Sequence, residues 1–337
     1  MRIGRVAAWA ALGTVGLLGL GFVAWQSPDL DWPALDHRYS DKSSQFADLG
    51  QGVAVRYRDQ GRRDGPVLVL VHGFSASAAD WDGWVARLGP RYRIITLDLP
   101  GHGLTRAPAD WPADPDHYAD LVDRVVSRLV PGPFVLAGNS MGGAVAWHYA
   151  LRHGDRLNAL VLVDAAGGGT LRERSGGPVI FRLLANPVGR AVLARIDLTP
   201  MVRQGLQSAF VDPKLVTPEL VARYSDLARA PGHRSILLHI VSAARDIASD
   251  AQLAAIHVPV LVMHGTDDRL IPYADGQRLA ARIPGAQLIT YPGIGHVPME
   301  QIPDRSADDL DAWLHHTAGA LANGEKSVSV SNTSTPS

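Results

Sequence analysis

The sequence predicts an α/β architecture: a mostly parallel central sheet with helices on both faces, plus an inserted helical cap. Three observations carry that prediction. Short, continuous apolar runs alternate with segments of helical period from Pro66 to Val163, and again from Val258 to Tyr291. Each run but the last ends directly in a short cluster containing glycine, histidine, aspartate or serine. Between Gly167 and Asp250 the alternation stops, leaving only helix-like segments broken by glycine and proline. Continuous apolar runs mark strands covered on both faces, as in buried parallel sheets, whose crossovers are right-handed and whose ligands bind outside the strands' carboxyl ends.

The first segment stands apart from that pattern. Arg2 and Arg5 precede an uncharged run of 20 residues, Val6 to Trp25, and Asp29 and Asp31 follow it. At about 1.5 Å per residue such a run spans a hydrocarbon core of about 30 Å. Residues 1–26 are therefore expected to anchor the protein in a membrane, with the catalytic domain on the non-cytoplasmic side. The rival expectation is a signal segment cut near Gly19-Leu20-Gly21, giving a secreted or periplasmic product. Residues 27–43, with Pro28 and Pro33, read as a linker.

From Ser44 to Gln60 the alternation around Val53 to Arg58 predicts paired antiparallel strands at a sheet edge, closed by a turn near Gly61. Pro66 to Val71 is a buried strand ending in His72-Gly73-Phe74, and a helix fits Ala79 to Leu88. Arg93 to Leu97 is the next strand, ending at Asp98-Leu99-Pro100-Gly101-His102-Gly103; Tyr118 to Leu129 is helical. Phe134 to Ala137 climbs to Gly138-Asn139-Ser140-Met141-Gly142, a helix follows over Ala144 to Leu151, and Leu160 to Val163 ends at Asp164. Residues 167–250 form the expected cap, with helical segments at Val179–Leu184, Val188–Ile196, Pro218–Ala228 and Ser235–Ala248. The core, residues 44–166 and 251–322, resumes with Val258 to Met263, which ends at His264-Gly265-Thr266-Asp267-Asp268. A helix over Tyr273 to Ile283, a last strand over Ala286 to Tyr291 and an amphipathic helix over Asp304 to Ala320 complete it. Residues 323–337, rich in serine and threonine, read as a disordered tail.

Composition bounds the function. With 337 residues, 46% of them hydrophobic, the chain can bury one large core and carry an insertion. A net charge of -1 without a basic stripe argues against nucleic acid as a partner. The absence of cysteine removes disulfides and thiol nucleophiles, and the scattered histidines show no metal-ligand spacing, so neither metal nor cofactor is expected.

The chemistry centres on Gly138-x-Ser140-x-Gly142 between a strand and a helix. A sharp turn there strains the serine backbone and leaves no room for side chains at 138 and 142. It lifts the hydroxyl clear of the sheet and points the Met141 N–H from a helix N-terminus, where an oxyanion is favoured. Small residues that merely let a helix pack on a strand would give the same pattern, so the partners decide. A serine hydroxyl needs a base, and the base needs a carboxylate. After the last two strands the chain offers Asp268 and then His296, with Asp267 as a competing acid.

On these residues the chain, from Ser44 to about Ala320, resembles the α/β-hydrolase family. Its oxyanion-loop His-Gly-Phe matches His72-Gly73-Phe74, and its nucleophile turn matches Gly138 to Gly142. Its Gly-x-x-Asp-x-x-x-Pro matches Gly265 to Pro272, and its Gly-His-x-Pro matches Gly295 to Pro298. The resemblance implies Ser140 as nucleophile, His296 as general base and acid, and Asp268 rather than Asp267 as its orienter. It implies an oxyanion hole from the Phe74 and Met141 N–H groups. Asp164 ends a strand where some relatives keep an acid; here, as for His72 and Asp98, a bracing role is expected. Trp81 and Trp84 read as core, while Phe181, Leu183, Leu184, Phe210 and Tyr224 either line an acyl pocket or pack the cap.

Epoxide hydrolases and haloalkane dehalogenases are similar in layout but place aspartate where this chain has Ser140. Serine leaves ester hydrolysis through an acyl-enzyme, carbon-carbon hydrolysis of dienone ring-cleavage products, or cofactor-free perhydrolysis. A tethered enzyme with an apolar cap implies a small hydrophobic ester or lipid substrate, and thus a carboxylesterase or lipase-like enzyme. The carbon-carbon hydrolase is second. A non-catalytic ligand-binding protein on the same fold is third, because such proteins commonly lose a member of the triad that this chain retains.

Overall fold

Val67 to Val71 carries no polar side chain because both of its faces are covered. Val69 and Val71 pack into one apolar cluster, while Leu68 and Leu70 pack into another on the opposite side. The same two-sided partition holds for Leu160 and Leu162 against Val161 and Val163, and for Val260 and Val262 against Leu261 and Met263. Period-two alternation with apolar residues at every position is thus what a central strand of a three-layer fold requires.

The computed structural model describes residues 26–169, 186–242 and 246–322. Among these the strands are β1 (Ser44–Gly50), β2 (Val53–Gly61), β3 (Val67–Val71), β4 (Arg93–Leu97), β5 (Phe134–Asn139), β6 (Leu157–Val163), β7 (Val260–Gly265) and β8 (Gln287–Tyr291). They form one sheet in the order β1-β2-β4-β3-β5-β6-β7-β8. The β1–β2 and β2–β4 pairs are antiparallel and every later pair is parallel. Val71 pairs with Gly138, Gly138 with Leu162, and Leu162 with Val262. The carboxyl ends of β3, β5, β6 and β7 therefore finish together, and their loops share one rim.

The helices are α1 (Trp32–Tyr39), α2 (Asp82–Leu88), α3 (Pro115–Leu129), α4 (Met141–His153), α5 (Pro187–Leu193), α6 (Thr199–Ala209), α7 (Pro218–Ala228), α8 (His233–Ser242), α9 (Asp250–Ala254), α10 (Tyr273–Arg282), α11 (Pro298–Gln301) and α12 (Pro303–Ala322). Helix α3 shows why they form and where they face. Asp114 caps it by accepting from the His117 N–H at 3.0 Å, Pro115 fills the first turn, and Tyr118, Leu121, Val122, Val125 and Val126 make one buried stripe. With α4 and α10 it covers one face of the sheet. Helices α2 and α12 cover the other, where Trp84 is fully buried and donates its indole N–H to Ser306 Oγ at 2.8 Å. Burying a side chain of that size contributes about 2–3 kcal/mol before its ordering entropy is counted.

Between β6 and β7 the chain leaves the sheet and forms α5 to α9. At the neck the Ala248 N–H donates to the Gly167 carbonyl at 3.0 Å. Helix α6 has no counterpart among the segments read from the sequence. Pro200 and Gly205 look like breakers there, but proline is harmless in a first helical turn, and a single interior glycine costs a helix only about 1 kcal/mol.

Two expectations are corrected. Residues 27–43 are not only a linker: α1 lies within them, capped by the Asp31 carboxylate accepting from the Ala34 N–H at 2.8 Å and docked through the buried Leu35. The membrane-anchored localisation is withdrawn, because no helix among the described residues is long and apolar enough to cross a membrane. The run from Val6 to Trp25 that suggested it lies outside the described residues, as do the segment Val179–Leu184 with Phe181, Leu183 and Leu184, and the tail 323–337.

Candidate active site

The turn after β5 is built as its glycines demand. Ser140 adopts φ 54° and ψ -117°, a conformation that costs a non-glycine residue of order 1–3 kcal/mol. The surroundings over-determine it. Its N–H donates to the Val163 carbonyl at 3.0 Å, and its carbonyl accepts from the N–H groups of Gly143, Ala144 and Ala166 at 3.0, 3.2 and 3.0 Å. A Cβ at Gly142 would run into the backbone carbonyls of Val71 and His72 at the end of β3, so only glycine lets α4 start this close to the sheet.

The loops after β7 and β8 bring the acid to the imidazole. His296 Nδ1 lies 2.6 Å from Asp268 Oδ2, in bonding contact. The other carboxylate oxygen, Oδ1, accepts from the N–H groups of Leu270 and Ile271 at 2.7 and 2.9 Å. Burial raises the Asp268 carboxyl, but the His296 bond and charge and the two backbone donors outweigh it, leaving it below the ordinary carboxylate range. The competing Asp267 is exposed and accepts from the Thr266 hydroxyl at 2.9 Å, away from the imidazole. A carboxylate on Nδ1 fixes the tautomer whose Nε2 can accept a proton.

Ser140 and His296 line the same cavity of about 370 Å³, together with Phe74, Leu206, Phe210 and Leu238. Among the described residues no hydrogen bond joins the serine hydroxyl to the imidazole. In unliganded enzymes that contact is often long and tightens on binding. The backbone N–H groups of Phe74 and Met141 have no acceptor among the described residues, and Met141 is the first residue of α4, where the helix dipole favours negative charge. The remaining predicted residues fall beside the site. His72 accepts from the Leu99 N–H at Nε2 (3.0 Å) and so donates from Nδ1 to the Gly73 carbonyl (2.7 Å), fixing the loop that carries Phe74. Asp98 accepts from the Ala78 and Leu104 N–H groups at 2.7 and 2.8 Å. Phe210 and Tyr224 do line the cavity, and Trp81 and Trp84 are fully buried.

Two features of the site went unread in the sequence. Asn139 Nδ2 donates to the His296 carbonyl at 3.0 Å and the Val163 carbonyl at 3.1 Å, tying the serine turn to the histidine loop. Tyr224, read as acyl-pocket lining or cap packing, donates its hydroxyl to buried Asp80 at 2.7 Å and so joins the cap to the loop after β3. Asn139 was in view as the residue before the serine; nothing in the sequence marks Asp80 as the partner of Tyr224.

The family model described as alpha/beta hydrolase fold matches residues 66–302. Among curated relatives, a pimeloyl-[acyl-carrier protein] methyl ester esterase of Nitrosomonas europaea is 30% identical over 252 residues, covering 74% of this chain and 96% of the relative. A 2-hydroxy-6-oxo-6-phenylhexa-2,4-dienoate hydrolase of Burkholderia cepacia is 28% identical over 305 residues, covering 84% and 97%. Among solved structures, a meta-cleavage product hydrolase of Pseudomonas fluorescens shares the fold with a TM-score of 0.68 at 24% identity, over 82% of this chain and 99% of its own.

Proposed function

Because this chain belongs to the α/β-hydrolase fold family and is a hydrolase, we propose that it cleaves hydrophobic carboxylic esters through an acyl-enzyme formed on Ser140. His296 Nε2 takes the hydroxyl proton as Ser140 Oγ attacks the ester carbonyl. The developing oxyanion is received by the N–H groups of Phe74 and Met141, and Asp268 steadies the imidazolium. His296 then returns the proton to the departing alcohol. Water, deprotonated by the same imidazole, attacks the acyl-enzyme and frees the acid and the serine. The observation that supports this reading best is the 2.6 Å bond from His296 to Asp268, with that imidazole and Ser140 in the wall of one mainly apolar cavity.

A second reading, carbon-carbon hydrolysis of a dienone, is supported by the Burkholderia relative, which carries that activity in its name. A panel of p-nitrophenyl esters of graded acyl length, run beside a dienone substrate, separates the two. Each methylene moved into an apolar wall contributes up to about 0.8 kcal/mol, so kcat/KM is expected to rise roughly tenfold or more from the acetate to the best medium-chain ester. Turnover confined to the dienone would give the assignment to the second reading.

A further inference from the structure

One buried group has no task in the chemistry above. Asp164 closes β6, is 0% exposed and adopts φ 43°, a left-handed backbone that aspartate tolerates better than most residues. Its Oδ1 accepts from the Gly265 N–H at 2.9 Å, which joins the ends of β6 and β7, while no N–H among the described residues donates to its Oδ2, and the Asp268 carboxyl is within hydrogen-bonding reach of the Asp164 side chain. Carboxyl oxygens of Asp164 and Asp268 and a ring nitrogen of His264 all lie within 4.8 Å of one another. His264 Nε2 stands 3.6 Å from both Asp164 Oδ1 and Asp268 Oδ2, but it faces the Ile271 carbonyl at 3.1 Å, which can only accept, so its proton is directed there. Its Nδ1 has no partner, and burial holds this histidine below its ordinary pKa and therefore uncharged.

Two carboxyl groups thus share a buried space with an uncharged imidazole, and among the described residues no lysine or arginine pairs with either of them. Asp268 collects three donors, from Leu270, Ile271 and His296, whereas Asp164 collects one. Two buried carboxylates this close repel each other, and the one that holds more hydrogen-bond donors keeps its charge more readily.

We propose that Asp164 is a positioning residue: it keeps its proton at neutral pH and donates it to Asp268, so that a neutral carboxylic acid backs the carboxylate that orients His296. The direction of its titration agrees, since burial first and the Asp268 charge second push the Asp164 carboxyl well above the usual range. The titratable groups facing it are His264 on β7, Asp268 in the loop that follows, Tyr291 at the end of β8 and, through Asp268, His296. The consequence for turnover rests on the serine-hydrolase reading; the protonation itself does not.

The test uses the full chain and the variants Asp164→Asn and Asp164→Leu. Infrared spectra at neutral pH should show the carbonyl stretch of a protonated carboxylic acid that is missing from Asp164→Asn. The acid limb of the pH profile of kcat/KM for a p-nitrophenyl ester should stay in place in Asp164→Asn, because a neutral amide replaces a neutral acid and still offers a donor. Asp164→Leu, which removes that donor, should lose roughly tenfold in kcat. The proposal is overturned if the carbonyl band is absent, or if Asp164→Asn moves the acid limb to lower pH, the mark of a negative charge removed from beside His296. Those two readings decide the matter even if Asp164→Leu does not fold. A wrong hydrolase assignment would show differently, as a protein with the infrared band but no reaction of Ser140 with a fluorophosphonate.

Discussion

Ser140→Ala is expected to lower kcat for ester hydrolysis by at least about a thousandfold, and His296→Ala by a similar factor. The two side chains act as one unit in the proposed mechanism: the hydroxyl is a poor nucleophile without the base, and the base has nothing to activate without the hydroxyl. The double variant should therefore fall to about the same residual rate as either single one, rather than to the product of the two losses. What remains is binding in the cavity and the donors at Phe74 and Met141. Steady-state kinetics on variants with native circular dichroism checks this. Losses that multiply would mean that the residues act separately, and a His296→Ala variant with unchanged turnover would remove it from the mechanism.

The second large effect is on stability. A Cβ at Gly138 would lie well inside contact with the Gly142 carbonyl oxygen and 2.7 Å from the Gly143 nitrogen, both of them backbone atoms of the first turn of α4. Neither can yield like a flexible side chain, because Ser140 is already strained and held by Val163, Ala144 and Ala166. The helix must back away from the sheet, loosening a core in which Val145, Ala146, Trp147 and Tyr149 are fully buried. Gly138→Ala is expected to cost about 3 kcal/mol or more, which for a chain of this size lowers Tm by roughly 4 °C or more. Thermal unfolding measures it, and a Tm equal to wild type would show that the turn has slack.

Much of the fold was legible because its central strands are covered twice. Runs such as Val67–Val71 and Leu160–Val163 could be neither surface strands nor loops, and their order implies the crossovers that place Ser140, Asp268 and His296 at one rim. The order along the chain offered the acid and the imidazole, the family resemblance chose Asp268 over Asp267, and Asp268 and His296, 28 residues apart, are in bonding contact. Other features depend on where side chains point after folding, which spacing does not carry. Asp80 and Tyr224 are 144 residues apart and look unrelated until the cap docks. Asp164 reads as one more strand-end acid, and only its lack of exposure and its neighbour Asp268 make its protonation a question. Helix α1 escaped notice because eight residues with one buried leucine scarcely differ from linker. The N-terminal apolar run was read from length and hydropathy alone; it lies outside the described residues, among which no helix is long and apolar enough to cross a membrane.

The reactivity of a single hydroxyl tests the mechanism most directly. Incubation of the folded protein with a fluorophosphonate, followed by peptide mass spectrometry, should place one stoichiometric adduct on Ser140, and Ser140→Ala should take up none. A folded sample that stays unlabelled, or one whose label persists in Ser140→Ala, would contradict the assignment of Ser140 as an activated nucleophile.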